Sequence, residues 1–356
     1  MVLSISSEPP TEPLTRVVPL RLPRQITRTL YTMRCDNGAS RTIGATKVWA
    51  TLITNTNYLP GVFTLEYSLR KAGSKYPLVV LYTDSFPAEG HAAVDARGLP
   101  KQRVPHLLPS LPKEYTNDPR FHDTWTKLTA FSLAEYERVV LLDSDMVIMQ
   151  NMDELMDMEL DAPELGGKGN RVFAASHACV CNPLKKPHYP KNWIPANCAF
   201  TSQHATPDKA QIIGAPSDRG LGLCNSGLLV INPSKGVYDK ILDQLNSPAT
   251  LNYAFPDQDL LADVFHGRWV GIPYIYNALK TLRRKGVHDA IWRDDKVKIV
   301  HYILSPKPWD EIDSAAEGQG MGKRRTASLD PTHEWWWRVT DERREDEQKR
   351  GVADMF

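Results

Sequence analysis

Asp143 and Asp145, with Ser144 between them, interrupt an otherwise apolar run from Val139 to Ile148. Acids two apart in extended backbone project to one side. Like charges held that close cost free energy unless a cation lies between them. The pair therefore favours a divalent-metal site over the simpler reading, in which one Asp caps a helix beginning near Asn151. A second expected strand, Lys296 to Tyr302, ends on His301. Two carboxylates and an imidazole suit Mn²⁺ or Mg²⁺. Asp257 and Asp259 fall in the first turn of a helix opened by Pro256, where capping competes with catalysis. Lys127 falls in the first turn of a helix expected over Trp125–Glu135. A cation there opposes the helix dipole and points to an anion nearby, although most lysines are simply solvated. Cys179, Cys181 and Cys198, with His177 and His188 near them in sequence, could form a zinc site. Their spacing is not the usual C-x-x-C pair, and buried free thiols are common.

The elements that must position these groups follow from apolar periodicity. Val139–Leu142 is short and branched, a buried strand rather than a helix, and its end delivers both acids to the carboxyl edge of an α/β sheet. Ahead of it, a strand is expected at Lys47–Thr54. A helix follows with Pro60 in its first turn, Val62, Leu65, Leu69 and Ala72 on one face, and Gly73 at its end. A strand at Pro77–Thr83, a helix near 88–97 and a short strand near 101–107 complete the start of a doubly wound nucleotide-binding half. The first turn, Asn55-Thr-Asn-Tyr58, lacks G-x-G-x-x-G, so a bound phosphate needs another partner, and a metal on the Asp pair is the substitute. Residues 161–224 are rich in Gly and Pro. They read as a loop-rich insertion, a lid or binding loop, with a strand at Phe173–Ser176. Cys224–Asn232 is a strand approached through Asn225-Ser226, and a helix is expected over 234–246.

Residues 1–46, rich in Pro and Arg, read as a flexible extension; Pro19 and Pro23 count against an amphipathic organelle-targeting helix. Residues 311–356 read as a charged linker, with Lys323-Arg-Arg-Thr-Ala-Ser328, and a Trp-rich terminal helix. Trp335 to Trp337 would dock that helix, the rival being an exposed cluster for a partner. Residues 341–356 read as frayed and solvated. The 356 residues suffice for one large α/β domain or two small ones. A net charge of +1 offers no bulk attraction to nucleic acid or an anionic membrane. No run approaches the ~20 apolar residues of a membrane span. The start turns polar within a few residues, so no secretory signal is expected. Five cysteines, an odd count, fit a reducing compartment, with the cytoplasm as the default.

In this order the motifs resemble the family 8 glycosyltransferases, retaining enzymes of the GT-A fold that use nucleotide sugars. The carriers are Thr51-Leu-Ile-Thr-Asn-Thr-Asn-Tyr58, Leu69-Arg-Lys, Tyr76-Pro-Leu-Val-Val, Thr126-Lys127-Leu, Leu142-Asp-Ser-Asp145, Asn225-Ser-Gly227, Asp257-Gln258, Tyr276-Asn277, Val300-His-Tyr302 and Lys307-Pro-Trp309. Within the family the chain looks like the branch containing galactinol synthase, with glycogenin more distant. Ser74-Lys-Tyr-Pro-Leu-Val-Val, the cysteines and the late tryptophans favour that branch.

The resemblance implies a single GT-A domain over 47–310, with a Rossmann-like, mostly parallel, mixed central sheet flanked by helices. It implies Mn²⁺ or Mg²⁺ on Asp143, Asp145 and His301. Leu52, Thr54, Asn55 and Tyr58 would line the uracil and ribose side, and Ser144 would also contact the donor. Lys127 and Lys307 would face the diphosphate, and Asn225 and Asn277 the sugar. Asp257 or Gln258 is the implied stabiliser of the reacting centre. The donor would be a UDP-sugar and the acceptor a small polyol or saccharide, with galactose transfer to myo-inositol as the branch's suggestion. Two departures stand out. The segment holding glycogenin's self-glucosylated tyrosine reads Ala278-Leu-Lys-Thr-Leu-Arg-Arg-Lys here, without a Tyr. The family's Gly before Lys-Pro-Trp is replaced within Ile303-Leu304-Ser305-Pro306. A glycogenin-like glucosyltransferase, a sugar-phosphate nucleotidyltransferase and a non-catalytic nucleotide-sugar scaffold are the rivals. Homo-oligomerisation is compatible with the sequence.

Overall fold

Short branched runs separated by Gly and Pro fold into two mixed sheets. In chain order the elements are β1 (Lys47–Ile53), α1 (Leu59–Lys71), β2 (Leu78–Tyr82), α2 (Ala88–Ala96), β3 (Lys101–Arg103), β4 (Arg138–Leu142) and β5 (Met146–Ile148). There follow β6 (Phe173–Ala175), β7 (Leu228–Ile231), α3 (Lys235–Leu245), α4 (Pro256–Val264), β8 (Val270–Gly271), β9 (Ala278–Leu279), β10 (Ile299–His301) and a C-terminal helix, His333–Lys349. This computed structural model describes residues 43–116, 119–313, 324–325 and 330–356, with backbone alone at 119–120, 312–313 and 324–325. The expected N-terminal extension, apart from its last four residues, and most of the 311–330 linker lie outside the described residues. The described residues fall in one compact unit.

The main sheet runs β3-β2-β1-β4-β7-β6-β8, with β3, β2, β1 and β4 parallel and β7 antiparallel to both β4 and β6. A parallel strand covered on both faces should be apolar at every position, and all five residues of β4 are buried. Val139 and Leu141 pack with Trp125 and Phe131 on one face, while Val140 and Leu142 pack with Trp49 and Leu65 on the other. That alternation is the two-residue period of the pleat. A second sheet, β5-β10-β9, takes the chain on immediately after the two acids. β4 and β5 are thus one apolar run in sequence but belong to different sheets, and the acids occupy the step between them.

Three segments differ from the sequence reading. Thr124–Ser132, expected to be an α-helix, is a run of 3₁₀ turns. Buried Thr129 and half-buried Ser132 donate their hydroxyls to backbone carbonyls three residues back, the local competition that disfavours α-helix. Near Asn151 the chain forms only a short 3₁₀ helix, Asp153–Asp157, whose Asp153 N–H donates to the Asn151 side chain at 2.9 Å. Residues 341–356 are not frayed. Arg343 and Glu347 are buried, Arg97 grips Glu347 with two bonds of 2.8 and 2.9 Å, and Asp354 returns to Arg343 at 3.2 Å. A composition that reads as solvated is buried here because the charges pair with one another. Trp336 and Trp337 are buried beside it, as docking of this helix requires. No helix among the described residues is long and apolar enough to cross a membrane.

Candidate active site

Backbone register brings the three expected ligands together. The β4–β7 ladder continues one residue past Leu142↔Leu228, with Asp143 N–H donating to Gly227 O at 2.8 Å. Two residues later the antiparallel β5–β10 pair opposes Met146 to His301, and Tyr302 N–H donates to Asp145 O at 2.9 Å. Asp143 therefore lies beside Gly227, and Asp145 beside His301. The glycine is required: a methyl at Gly227 would run into the His301 ring and lie 2.7 Å from its Nδ1. Gly61 on α1 likewise admits the Ser144 carbonyl, which a methyl there would strike.

Hydrogen bonds then aim the imidazole. Asn277, fully buried, donates to Asn225 Oδ1 at 2.8 Å, so its amide oxygen is left to accept from His301 Nδ1 at 2.9 Å. With Nδ1 carrying the proton, the Nε2 lone pair faces the acids, 3.2 Å from Asp145 Oδ1 and 3.6 Å from Asp143 Oδ2. Ligands about 2.1 Å from an octahedral ion are about 3 Å from each other. The spacing and the oxygen–nitrogen donor set fit a hard divalent cation.

Two lysines answer the acids. Lys127 lies 2.7 Å from Asp143 and 3.6 Å from Asp257. Burial alone would lower the Lys127 pKa, but Asp143 and Asp257 outweigh it and hold the ammonium above its usual range. Lys307 pairs with Asp145 Oδ2 and donates to Tyr302 O at 2.8 Å. Burial would raise the Asp145 carboxyl, but Lys307 and then His301 hold it well below the usual carboxylate range.

These groups line a cavity of about 290 Å³, together with Leu52, Thr54, Asn55, Tyr58, Ser144, Asn225, Asp257 and Gln258. Of the residues expected at the site, Asn277 alone stands off the cavity wall, behind His301; its action on a ligand is through the imidazole. Tyr58 meets Trp309 edge-on at 5.5 Å between ring centroids. Gln258 Oε1 accepts from Asn225 Nδ2 at 2.9 Å and from Ser226 N at 3.2 Å, which leaves its NH₂ for the cavity. Asp257 is buried, and its Oδ2 accepts no hydrogen bond among the described residues. Leu304, which lines the cavity in the segment where the resembled family has a glycine, takes φ +68°, a left-handed conformation costing a β-carbon residue about 1–2 kcal/mol. The far wall comes from the loop-rich insertion: Asn182, Lys186, Tyr189 and Trp193 face inward. Trp193 stacks on Phe255 at 4.3 Å.

The family profile described as Glycosyl transferase family 8 matches residues 50–313. The chain belongs to glycosyltransferase family 8. It is a retaining hexosyltransferase by that membership, drawing its sugar from a nucleotide donor. Galactinol synthase 2 of Arabidopsis thaliana is 26% identical over 312 residues, covering 85% of this chain and 84% of that protein. Galactinol synthase 1 of Solanum lycopersicum is 28% identical over 271 residues, covering 72% and 71%. An uncharacterized protein of Acanthamoeba polyphaga mimivirus is 28% identical over 270 residues, covering 73% and 81%. The crystal structure of the galactosyltransferase LgtC with donor and acceptor sugar analogs superposes with a TM-score of 0.52 at 16% identity, covering 83% of this chain and 96% of that one. The expected α/β GT-A architecture is therefore the observed one.

A second side-chain cluster in the transferase departs from the sequence reading. Cys179, Cys181 and Cys198 do meet, but the imidazole among them is His288. His177 instead points Nε2 at the carbonyls of Ala215 and Pro216, 3.2 and 3.0 Å away, and His188 packs edge-on against Tyr189. His288 lies 107 residues beyond Cys181, in a segment with no motif to mark it.

Proposed function

We propose that this family 8 transferase moves a hexose from a UDP-sugar to a hydroxyl acceptor with retention, and that the pair is UDP-galactose and myo-inositol. The convergence of Asp143, Asp145 and His301 under two lysines, in a cavity of about 290 Å³, carries the reading. The galactinol synthases among its relatives support the choice of donor and acceptor.

In this reading Asp143, Asp145 and His301 hold Mn²⁺, with Mg²⁺ as the alternative, and the bound ion supplies Lewis-acid stabilisation to a departing diphosphate. Lys307 and Lys127 add fixed positive charge beside the same acids, where negative charge grows as the glycosidic bond breaks. That interaction lowers the barrier rather than merely retaining the donor. Leu52, Thr54, Asn55 and Tyr58 form the base and ribose side, and Ser144, which lines the same cavity, also contacts the donor. Asn225 and Gln258 present amide groups to the sugar. Asp257 is the carboxylate we assign to stabilising the oxocarbenium-like anomeric carbon, with Gln258 beside it. Retention requires attack on the face the diphosphate leaves, or a covalent intermediate, so a hydrolase-type carboxylate pair is not invoked. The insertion wall with Lys186, Tyr189 and Trp193 supplies the acceptor side, where flat rings suit the carbon face of a polyol.

We take residues 47–310 as the transferase domain, with the insertion over 161–224, and place the enzyme in the cytoplasm; the unbridged thiols of Cys179, Cys181, Cys198 and Cys224 support a reducing compartment. The test is a panel of UDP-sugars against myo-inositol and simple saccharides with Mn²⁺, reading UDP release, product mass and anomeric configuration by NMR. A disaccharide-sized α-galactoside of inositol is expected. Tight donor binding with neither hydrolysis nor transfer would overturn the catalytic reading, and pyrophosphate release from a sugar phosphate and nucleotide would replace it.

A further inference from the structure

Cys179 and Cys181 follow β6 within the insertion, Cys198 follows a 3₁₀ turn at Pro195–Asn197, and His288 comes from a distant segment after β9. Their four donor atoms all lie within 4.8 Å of one another. His288 is fully buried, with Nε2 at 3.2 Å from Cys181 Sγ and 3.4 Å from Cys198 Sγ. Its other nitrogen, Nδ1, is 2.9 Å from His204 Nε2. With Nδ1–H donated to His204, the Nε2 lone pair is turned onto the sulfurs, the arrangement that orients a metal-bound histidine. Thiolate–zinc bonds of about 2.3 Å and an imidazole bond of about 2.05 Å give a tetrahedron whose sulfur–nitrogen edges are about 3.6 Å. The observed separations fall just inside that length. Three thiols and an imidazole with no carboxylate select a soft or borderline ion, and a closed four-ligand set leaves no position for substrate.

We propose that Cys179, Cys181, Cys198 and His288 bind one structural Zn²⁺, separate from the cation at Asp143, Asp145 and His301. Binding takes the three sulfurs as thiolates, with thiol protons released to solvent, and the imidazole through its Nε2 lone pair. The ion ties the irregular stretch 179–198, which contains no strand, to the segment that follows β9. Cys179 itself lines the cavity, so the tie also holds in place the wall that carries Asn182 and Tyr189. This inference does not rest on the choice of donor or acceptor, and its test uses no turnover.

The full chain is purified from zinc-supplemented culture, washed with EDTA at a strength that removes Mn²⁺, and analysed by inductively coupled plasma mass spectrometry. The expected content is about one zinc per chain. Titration with a mercurial reagent should release that zinc as three thiols react. Cobalt(II) exchanged into the wild-type chain should give thiolate-to-cobalt charge-transfer bands and tetrahedral d–d bands. Cys181→Ser and His288→Asn should each lower zinc affinity by about tenfold or more. If the ligand variants fail to fold, the mercurial and cobalt measurements on wild type still decide. Wild-type protein without zinc and without a cobalt–thiolate band overturns the proposal. So does an intact mass lower by two hydrogens from a disulfide within the cluster, or full zinc retention in both ligand variants.

Discussion

Asn277 touches no substrate in the proposed arrangement, yet its loss should be felt at the metal. Asn277→Ala removes the oxygen that accepts from His301 Nδ1 at 2.9 Å and the amide that donates to Asn225 Oδ1 at 2.8 Å. Asn225 keeps a partner, since Gly227 N–H donates to the same oxygen at 3.1 Å. His301 loses its partner at Nδ1. Leaving that buried N–H unpaired costs about 1–3 kcal/mol. The imidazole can recover part of this by moving its proton to Nε2, where Asp145 Oδ1 waits at 3.2 Å, but that tautomer no longer offers a lone pair to a cation. The cost therefore appears as weaker metal binding. Loss of such an outer partner typically lowers affinity about 10–100-fold, or about 1.4–2.7 kcal/mol, which agrees with the hydrogen-bond figure. Free Mn²⁺ measured by electron paramagnetic resonance during titration gives the constant directly. Asn277→Asp, which restores an acceptor for Nδ1–H, should recover most of the affinity. Unchanged Mn²⁺ affinity in Asn277→Ala, or equal loss in both variants, would refute the reasoning.

Gly227→Ala puts a methyl into the His301 ring; overpacking should cost about 1–3 kcal/mol in urea unfolding and abolish Mn²⁺ binding, and a variant with normal Mn²⁺ affinity would count against the register argument. Lys307→Ala leaves buried Asp145 without its ammonium, so the metal-free protein should lose about 3 kcal/mol or more, and Mn²⁺ should restore a larger share of Tm than it adds to wild type. In steady-state kinetics kcat should fall more than KM rises; the reverse would reduce Lys307 to donor retention. Asp259 is pushed up to about 6, chiefly by burial, against the hydrogen bonds from Phe255 and Ala254 N–H. A half-buried acid raised above its unfolded value of about 3.9 penalises the folded state fully above about pH 6 and not at all below about pH 4. Asp259→Asn should therefore gain on wild type as pH rises through that window, by at most about 3 kcal/mol, as read from urea midpoints; a pH-independent difference would contradict the shift.

The residues that could be read in advance were those whose neighbours in sequence are also their neighbours in space. β4 announces itself because burial on both faces demands an unbroken apolar run, and the acids after it must then sit at a sheet edge. His301 was legible for the same reason, at the end of a second short apolar strand. What the sequence did not show was set by pairing between distant segments. His288 reaches the thiols from 90 residues past Cys198, and nothing in its own surroundings marks it. Asn277 belongs with the sugar-facing residues by motif, but the hydrogen bond to His301 turns it away from the cavity. Arg97, Arg343 and Glu347 are ordinary surface residues by composition, and only their mutual pairing permits burial. The Thr124–Ser132 segment has helical spacing, yet its hydroxyls bond to the backbone and tighten it to 3₁₀.

The central claim is that Asp143, Asp145 and His301 close on one divalent cation that faces a nucleoside diphosphate. Crystals grown with Mn²⁺ and UDP, with diffraction collected at the manganese edge, test it most directly. The account predicts one manganese anomalous peak about 2.0–2.3 Å from a carboxylate oxygen of each Asp and from His301 Nε2, with diphosphate oxygens on its open side and Lys307 within reach of them. A peak elsewhere, or a His301 ring turned so that Nε2 no longer faces the acids while UDP is bound, would contradict it.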